Sequence, residues 1–185
     1  METPVALDII GHAIVSADGR IADRDRQMPR ELRSDVDWAR FQAALDDAAL
    51  VVLGRHGHEA HPNPGRRRLV VTSRVERIEP VDELVTLWNP AAMPFSEAAE
   101  RLGVWDGIVA VTGGQAVFDL FLPLFVQFDL VIVDGLLLPD GLPCFSGGWP
   151  DDVLAAGGMQ VRTRQILEPG VRLQIWRRQP LSARG

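Results

Sequence analysis

Short apolar segments rich in Val, Ile and Leu alternate along this chain with segments whose apolar residues recur every three or four positions. Buried strands give the first pattern and amphipathic helices the second. Asp8–Ser16 reads as a buried strand with only His12 polar in its middle, and Ala17-Asp18-Gly19 turns the chain after it. Arg24–Arg33 is charged and carries Pro29, so it reads as a loop. Asp35–Asp46 reads as a helix. Ser34 suits its N-cap, Asp35 and Asp37 favour its positive end, and Trp38, Phe41 and Leu45 share one apolar face. Ala49–Leu53, Arg68–Ser73, Val85–Trp88, Ile108–Thr112 and Asp129–Val133 read as further strands. Asn63-Pro64-Gly65 supplies the turn before the second of these. Phe95–Leu102 and Gln115–Leu122 read as helices. Val161–Leu167 and Val171–Trp176 flank Glu168-Pro169-Gly170 as a terminal hairpin. The alternation implies an α/β architecture with a mostly parallel central sheet and an antiparallel C-terminal hairpin at its edge.

At 185 residues the chain suits one domain, 1–185, with a real core. The formal charge of −6 argues against a general nucleic-acid surface, so an anionic ligand needs a local group of arginines. Cys144 is the only cysteine, which excludes an internal disulfide and fits a reducing compartment. It reads as a small packed side chain rather than a nucleophile. No apolar stretch is long enough to span a bilayer; Leu120–Val126 is short and interrupted by Pro123. No basic segment followed by an apolar run marks a secretory signal, and a cytoplasmic location is expected. The tail Ser182–Gly185 is expected to fray. His56, His58 and His61 lie close together without a nearby cysteine, so they read as a polar loop and no metal is expected.

Three strand ends carry chemistry. Gly113-Gly114 follows a strand and precedes a helix, where missing side chains let a phosphate approach the backbone. Tight strand-to-helix turns need glycine anyway, and the GxGxxG spacing of a Rossmann motif is absent. Gly54-Arg55 repeats the arrangement, and Thr72-Ser73-Arg74 closes a third strand with two hydroxyls and a guanidinium, a set that suits a phosphate monoester. Each site alone also reads as a solvated arginine beside ordinary turn residues. Three at strand C-termini match where open α/β sheets bind ligands.

Taken in order, DGRIA (Asp18–Ala22), MPREL (Met28–Leu32), SDVDW (Ser34–Trp38), LGRHGHE (Leu53–Glu59), PGRRRLVVTSR (Pro64–Arg74) and VTGGQAVF (Val111–Phe118) resemble a reductase of the dihydrofolate reductase superfamily. The resemblance covers roughly Asp8–Pro143 and, beyond that, only the hairpin. It implies a three-layer α/β/α fold and NADPH as cofactor, held by Ala13, Ile21, Gly54, Arg55, His56, Gly57, Thr72, Ser73, Arg74, Thr112, Gly113, Gly114, Gln115, Ala116 and Val117. Gly57 stands where the family usually has threonine. Asp18–Met28 is similar to the loop that closes over the nicotinamide, with Ile21 and Ala22 at the ring. Asp35 falls on the family's catalytic carboxylate, which binds an amino-pyrimidine edge and assists protonation from an apolar pocket. Asp35 and Asp37 are the two candidates for such a carboxylate, and the resemblance selects Asp35; read without it, both merely stabilise a helix N-terminus. The implied substrate side comprises His12, Ala13, Asp35, Trp38 and Arg66, the last matching the arginine that grips the folate glutamate in the family, with Arg67 and Arg68 beside it as alternatives.

The departures bear on the substrate. Arg30 replaces a loop tryptophan, Ala39 a phenylalanine, Val133 a threonine that supports the carboxylate, and Phe118 a tyrosine. His12 stands at a usually aliphatic position, where a buried, satisfied histidine is the plain alternative. Together they point to a pterin or pyrimidine unlike ordinary dihydrofolate. The leading implied substrate is a dihydropterin, dihydrofolate-like or dihydromethanopterin, and PGRRRLVVTSR and GRHGHE lean to that side of the superfamily. The other is the ribosylamino-pyrimidine phosphate of riboflavin synthesis, whose reductases share the Ser16–Ala22 segment. No deaminase motif with zinc ligands is found. A non-catalytic NADPH-binding module is the alternative from another class. Homodimers are common among such reductases, but no segment marks an interface.

Overall fold

The computed structural model describes residues 7–61 and 64–179. Asn63 of the expected turn and the tail Ser182–Gly185 lie outside the described residues. Ten residues form β1 (Leu7–Ser16), and the rest of the sheet is built outward from it. The short β2 (Arg20–Ala22) and a single turn of 3-10 helix at Arg30–Leu32 precede α1 (Asp35–Asp46). Then come β3 (Ala48–Gly54), α2 (Arg55–Ala60), β4 (Arg68–Val71), β5 (Ile78–Pro80), β6 (Val85–Trp88) and α3 (Phe95–Arg101). Next are β7 (Gly107–Val111), α4 (Gln115–Phe121), β8 (Gln127–Val133), β9 (Leu142–Pro143) and α5 (Pro150–Ala156). The hairpin β10 (Met159–Glu168) and β11 (Val171–Arg178) ends the fold.

The main sheet runs β10-β11-β8-β1-β7-β3-β4-β6-β5, and β2 pairs separately with β9. β8, β1, β7, β3, β4 and β6 are parallel, while the terminal hairpin and β5 add antiparallel edges. A parallel sheet needs both faces covered. Alternation along the strands supplies two apolar faces: Leu50, Val52, Val109 and Val111 turn one way, Val51, Leu53 and Ala110 the other. Ala98 of α3, Val117 and Phe121 of α4 and Leu154 of α5 pack on the first face. Leu45 and Phe41 of α1 pack on the second. This is the expected three-layer arrangement.

α1 begins where Ser34 stops the extended chain. Its Oγ accepts the Asp37 amide at 3.2 Å, a cap that contributes about 1 kcal/mol. The Ser34 hydroxyl also donates to the Glu168 carboxylate at the end of β10, so the cap ties α1 to the hairpin.

Several expectations are corrected. The Arg24–Arg33 loop contains a helical turn, and the segment before it makes β2 by pairing Arg20 with Pro143 and Ala22 with Leu142. Trp38 does not join the apolar stripe of α1: Leu45 is buried, whereas Trp38 is 55% exposed. Pro150–Ala156 is a helix that no periodic pattern announced, started by Pro at its first turn and closed by Gly157.

Candidate functional site

The sheet divides just past Gly11. Gly11 is the last residue of β1 paired with β7, opposite Val111, and from there β1 continues only alongside β8. His12 and Ala13 are thus the first β1 residues with an open flank. Val111 lies opposite Val52 of β3, and Gly54 of β3 lies opposite Val71 of β4. The C-terminal tips of β7, β3 and β4 therefore stand in a row beside the open flank of β1, the place where such sheets take ligands.

Glycines shape this row. The Gly54 amide donates to the Gly113 carbonyl at 2.7 Å, which pins the tip of β3 to the turn after β7. A Cβ on Gly54 would lie 3.6 Å from the Gly114 nitrogen and 3.5 Å from Val117, filling the space between the two turns. Gly113 has φ +102°, a conformation that excludes ordinary side chains, and the peptide between Gly113 and Gly114 is cis. A Cβ on Gly114 would lie 3.8 Å from Ile21, so the β2 segment stands over the paired glycines. Gln115 Nε2 donates to the Pro143 carbonyl of β9 at 3.1 Å and links the same turn to the β2–β9 ribbon. Thr112 is held by its amide to the Val52 carbonyl at 2.9 Å, Val117 is buried, and Ala116 is exposed.

The basic residues gather at the outer end of the row. Thr72 is buried and its Oγ1 accepts the Arg74 amide at 3.2 Å, while Ser73 and Arg74 are exposed. Arg55 Nη1 bonds both Glu59 carboxylate oxygens at 2.8 Å. The Arg55 hydrogen bond, together with the charges of Arg55, Arg74 and His56, holds Glu59 below its ordinary carboxylate range. Arg55 thus pairs directly with Glu59, and the charges of Arg74 and His56 act on the same carboxylate. Gly57 is half-buried against Leu53.

The substrate side differs from expectation. Asp35 is exposed on the first turn of α1 and has no part in a buried cluster; the buried carboxylate is Asp37, two residues later. The reason is helical phase. Ser34, Asp37, Phe41 and Leu45 form the stripe that faces the sheet, which turns Asp35 outward; Trp38 shares the phase of that stripe and packs its ring against Phe41, yet is 55% exposed. Arg40 lies over the same stripe. Its Nε and Nη2 donate to Asp37 Oδ1 at 3.2 and 3.0 Å, and its Nη1 donates to Asp129 Oδ2 of β8 at 2.8 Å. Gln127 Nε2 donates to the other oxygen of Asp129 at 2.8 Å. His12 of β1 is buried beside them, with Nδ1 3.6 Å from Asp129 Oδ2 and its ring edge-on to Phe41. Burial lowers His12 to about 4, the Asp129 carboxylate opposes this, and Arg40 adds to it. Burial raises the Asp37 carboxyl against the pull of Arg40. This polar group lies between two apolar clusters on the α1 face of the sheet.

Arg66 is committed elsewhere. It bonds Asp46 Oδ1 at 2.6 and 3.0 Å and Gln42 Oε1 at 2.8 Å, at the far end of α1. A groove of about 400 Å³ lined by Val75, Arg77, Ile78, Met93 and Arg101 lies at the β5 edge, away from the division of the sheet. The motif alignment favours Asp35 over the other candidate, Asp37, which is the inward carboxylate, and no motif points to Arg40 or Asp129. The only available signal was the spacing Asp37–Phe41–Leu45, which repeats every four residues.

Three solved structures share this architecture. A diaminohydroxyphosphoribosylaminopyrimidine deaminase/5-amino-6-(5-phosphoribosylamino)uracil reductase from Thermotoga maritima matches with a TM-score of 0.68 and 17% identity over 92% of this chain. This chain covers 56% of that protein's length. A putative riboflavin biosynthesis protein from Shewanella sp. PV-4 matches at 0.69 and 16% identity, covering 94% of this chain and 99% of that one. Dihydrofolate reductase from Enterococcus faecalis, complexed with NADP(H) and RAB-propyl, matches at 0.66 and 15% identity, covering 94% and 97%. The chain has the dihydrofolate reductase fold. No family model matches the sequence, and no curated protein matches it. Within the dihydrofolate reductase fold of this chain, the paired glycines follow β7 beside the open flank of β1 with Ile21 of β2 against them, while the buried carboxylate of α1 is linked through Arg40 to β8. Among the described residues no helix is long and apolar enough to cross a membrane.

Proposed function

We propose that this chain is an NADPH-dependent reductase acting on a C=N bond of a dihydropterin or an amino-pyrimidine, as a single domain. The observation that carries this reading is the glycine-lined junction of Gly54 with Gly113-Gly114, placed beside the open flank of β1. It supports the reading because neither Gly54 nor Gly113-Gly114 carries a Cβ that would stand between the turn backbone and a cofactor. When bound, NADPH supplies the hydride. Gly54, Gly113, Gly114, Gln115 and Ala116 offer backbone to its pyrophosphate. Arg55, Arg74, Thr72 and Ser73 take the 2′-phosphate, replacing the weak exposed pair between Arg55 and Glu59. Ile21, Ala13 and Thr112 border the nicotinamide, and the β2–β9 ribbon keeps water out.

Asp37, rather than Asp35, serves as the carboxylate of the reaction. A carboxyl raised by burial is suited to hold an amino-pyrimidine edge and to deliver a proton to the ring nitrogen, directly or through water. His12 and Phe41, edge-on to each other, lie on the same face of the sheet as Asp37. Trp38, 55% exposed beside Phe41, offers an aromatic face at the entrance. A folate glutamate tail at Arg66 would displace the Asp46 and Gln42 contacts, which favours an acceptor recognised without such a tail. The ribosylamino-pyrimidine phosphate meets that condition, as do pterins with other tails.

The test follows NADPH oxidation with dihydrofolate, dihydromethanopterin and the riboflavin-pathway pyrimidine in parallel, alongside NADPH binding by tryptophan fluorescence. Reduction of one acceptor supports the reading. Binding without reduction of any would make the chain a nucleotide-binding module, and absence of binding would remove the reading.

A further inference from the structure

One guanidinium serves two carboxylates at the inner face of α1. All side-chain contacts to the Asp37 carboxylate among the described residues fall on Oδ1, which leaves Oδ2 for a ligand. Arg40 makes those contacts through two nitrogens, and a third nitrogen reaches Asp129. Asp129 is the fixed point of the set. Its backbone is paired with β1 on one side and β11 on the other, and Gln127 holds its second oxygen. We propose that Arg40 and Asp129 are positioning residues, an anchored guanidinium that ties the Asp37 carboxylate to β8 and governs its charge. The inference rests on Asp37 being the carboxylate of the proposed reaction.

The chemistry suits the residues. A guanidinium keeps its charge at any working pH and has the fork needed to meet two acids at once. Two carboxylates sharing a site without it repel, and one is forced toward the neutral form. The groups that face Asp37 are few. α1 contributes Arg40, β8 contributes Asp129, and β1 contributes His12, which burial keeps neutral near pH 7. Glu168 of β10 reaches only as far as the Ser34 hydroxyl that caps the Asp37 amide. The charge felt by Asp37 is therefore set by Arg40 against Asp129, and the two act in opposite directions.

The experiment titrates the Asp37 side-chain carboxyl carbon by NMR in the wild type, Arg40→Gln and Asp129→Asn, with circular dichroism to establish folding. Removing the cation should raise the Asp37 midpoint, and removing the second carboxylate should lower it, each by about half a pH unit or more. The pH midpoint of kcat/KM should move with the NMR midpoint. Arg40→Lys, which keeps the charge and loses the fork, should fall between wild type and Arg40→Gln. If Arg40→Gln fails to fold, Asp129→Asn decides alone. A downward shift supports the inference, and no shift or an upward one overturns it. Loss of activity in both variants with unchanged midpoints would mark them as structural only and also overturn it. If the NMR shifts appear but no acceptor is reduced, the functional reading fails while the electrostatic coupling stands.

Discussion

The Gly54 amide and the Gly113 carbonyl, 2.7 Å apart, close the gap between two neighbouring strand tips that no side chain bridges. The cofactor proposed for this chain would lie against the glycine backbone that this bond holds in place.

The basic residues at the outer end of that space should read the 2′-phosphate. Arg74→Ala is expected to weaken NADPH by about tenfold, some 1.4 kcal/mol, with little change for NADH. Fluorescence titration with both dinucleotides measures it. Equal losses would show that Arg74 does not contact the phosphate.

The two aspartates of α1 should separate cleanly. Asp37→Asn is expected to reduce turnover by about a hundredfold or more with NADPH affinity retained, while Asp35→Asn stays near wild type. Steady-state NADPH oxidation on the two variants decides which carboxylate acts. The reverse result would restore Asp35, the residue that the motif alignment picks.

Stability should depend on pH through His12. Its folded value of about 4 lies below the ordinary 6.5, so the imidazole is neutral in the fold. The contribution is fully present above the unfolded value. It is lost as pH falls from 6.5 toward 4, because the unfolded chain takes up a proton that the native one refuses. The loss from this group is roughly 3 kcal/mol over that window. Urea unfolding of wild type and His12→Gln across the range measures it, and parallel curves would refute it.

Close packing at β1 should make Gly11 intolerant. A Cβ there would overlap the Phe128 ring and press on Phe125, both fully buried. Gly11→Ala is expected to cost about 1–3 kcal/mol by overpacking. Thermal unfolding checks it, and an unchanged Tm would mean that the aromatic pair repacks freely.

Local signals made much of this fold readable. Val85–Trp88 and Asp35–Asp46 occupy the expected spans, and the Ser34 cap is in place. Caps, glycine turns and hydrophobic periods act through residues a few positions apart, and those are visible in one dimension. The row of Gly54, Thr72 and Gly113-Gly114 was legible for the same reason, since each is the end of a strand. The inner face of α1 was not. Asp35 and Asp37 are equivalent as acidic residues at a helix start. What separates them is the rotation of the helix against the sheet, and that follows from where Phe41 and Leu45 find their apolar partners. Arg40 meets Asp129 across 89 positions of sequence, and Arg20 meets Gly141 across 121. Such contacts carry no local pattern. They exist because strand order brings β8 beside β1 and β9 beside β2, and burial then selects the charges that must neutralise one another.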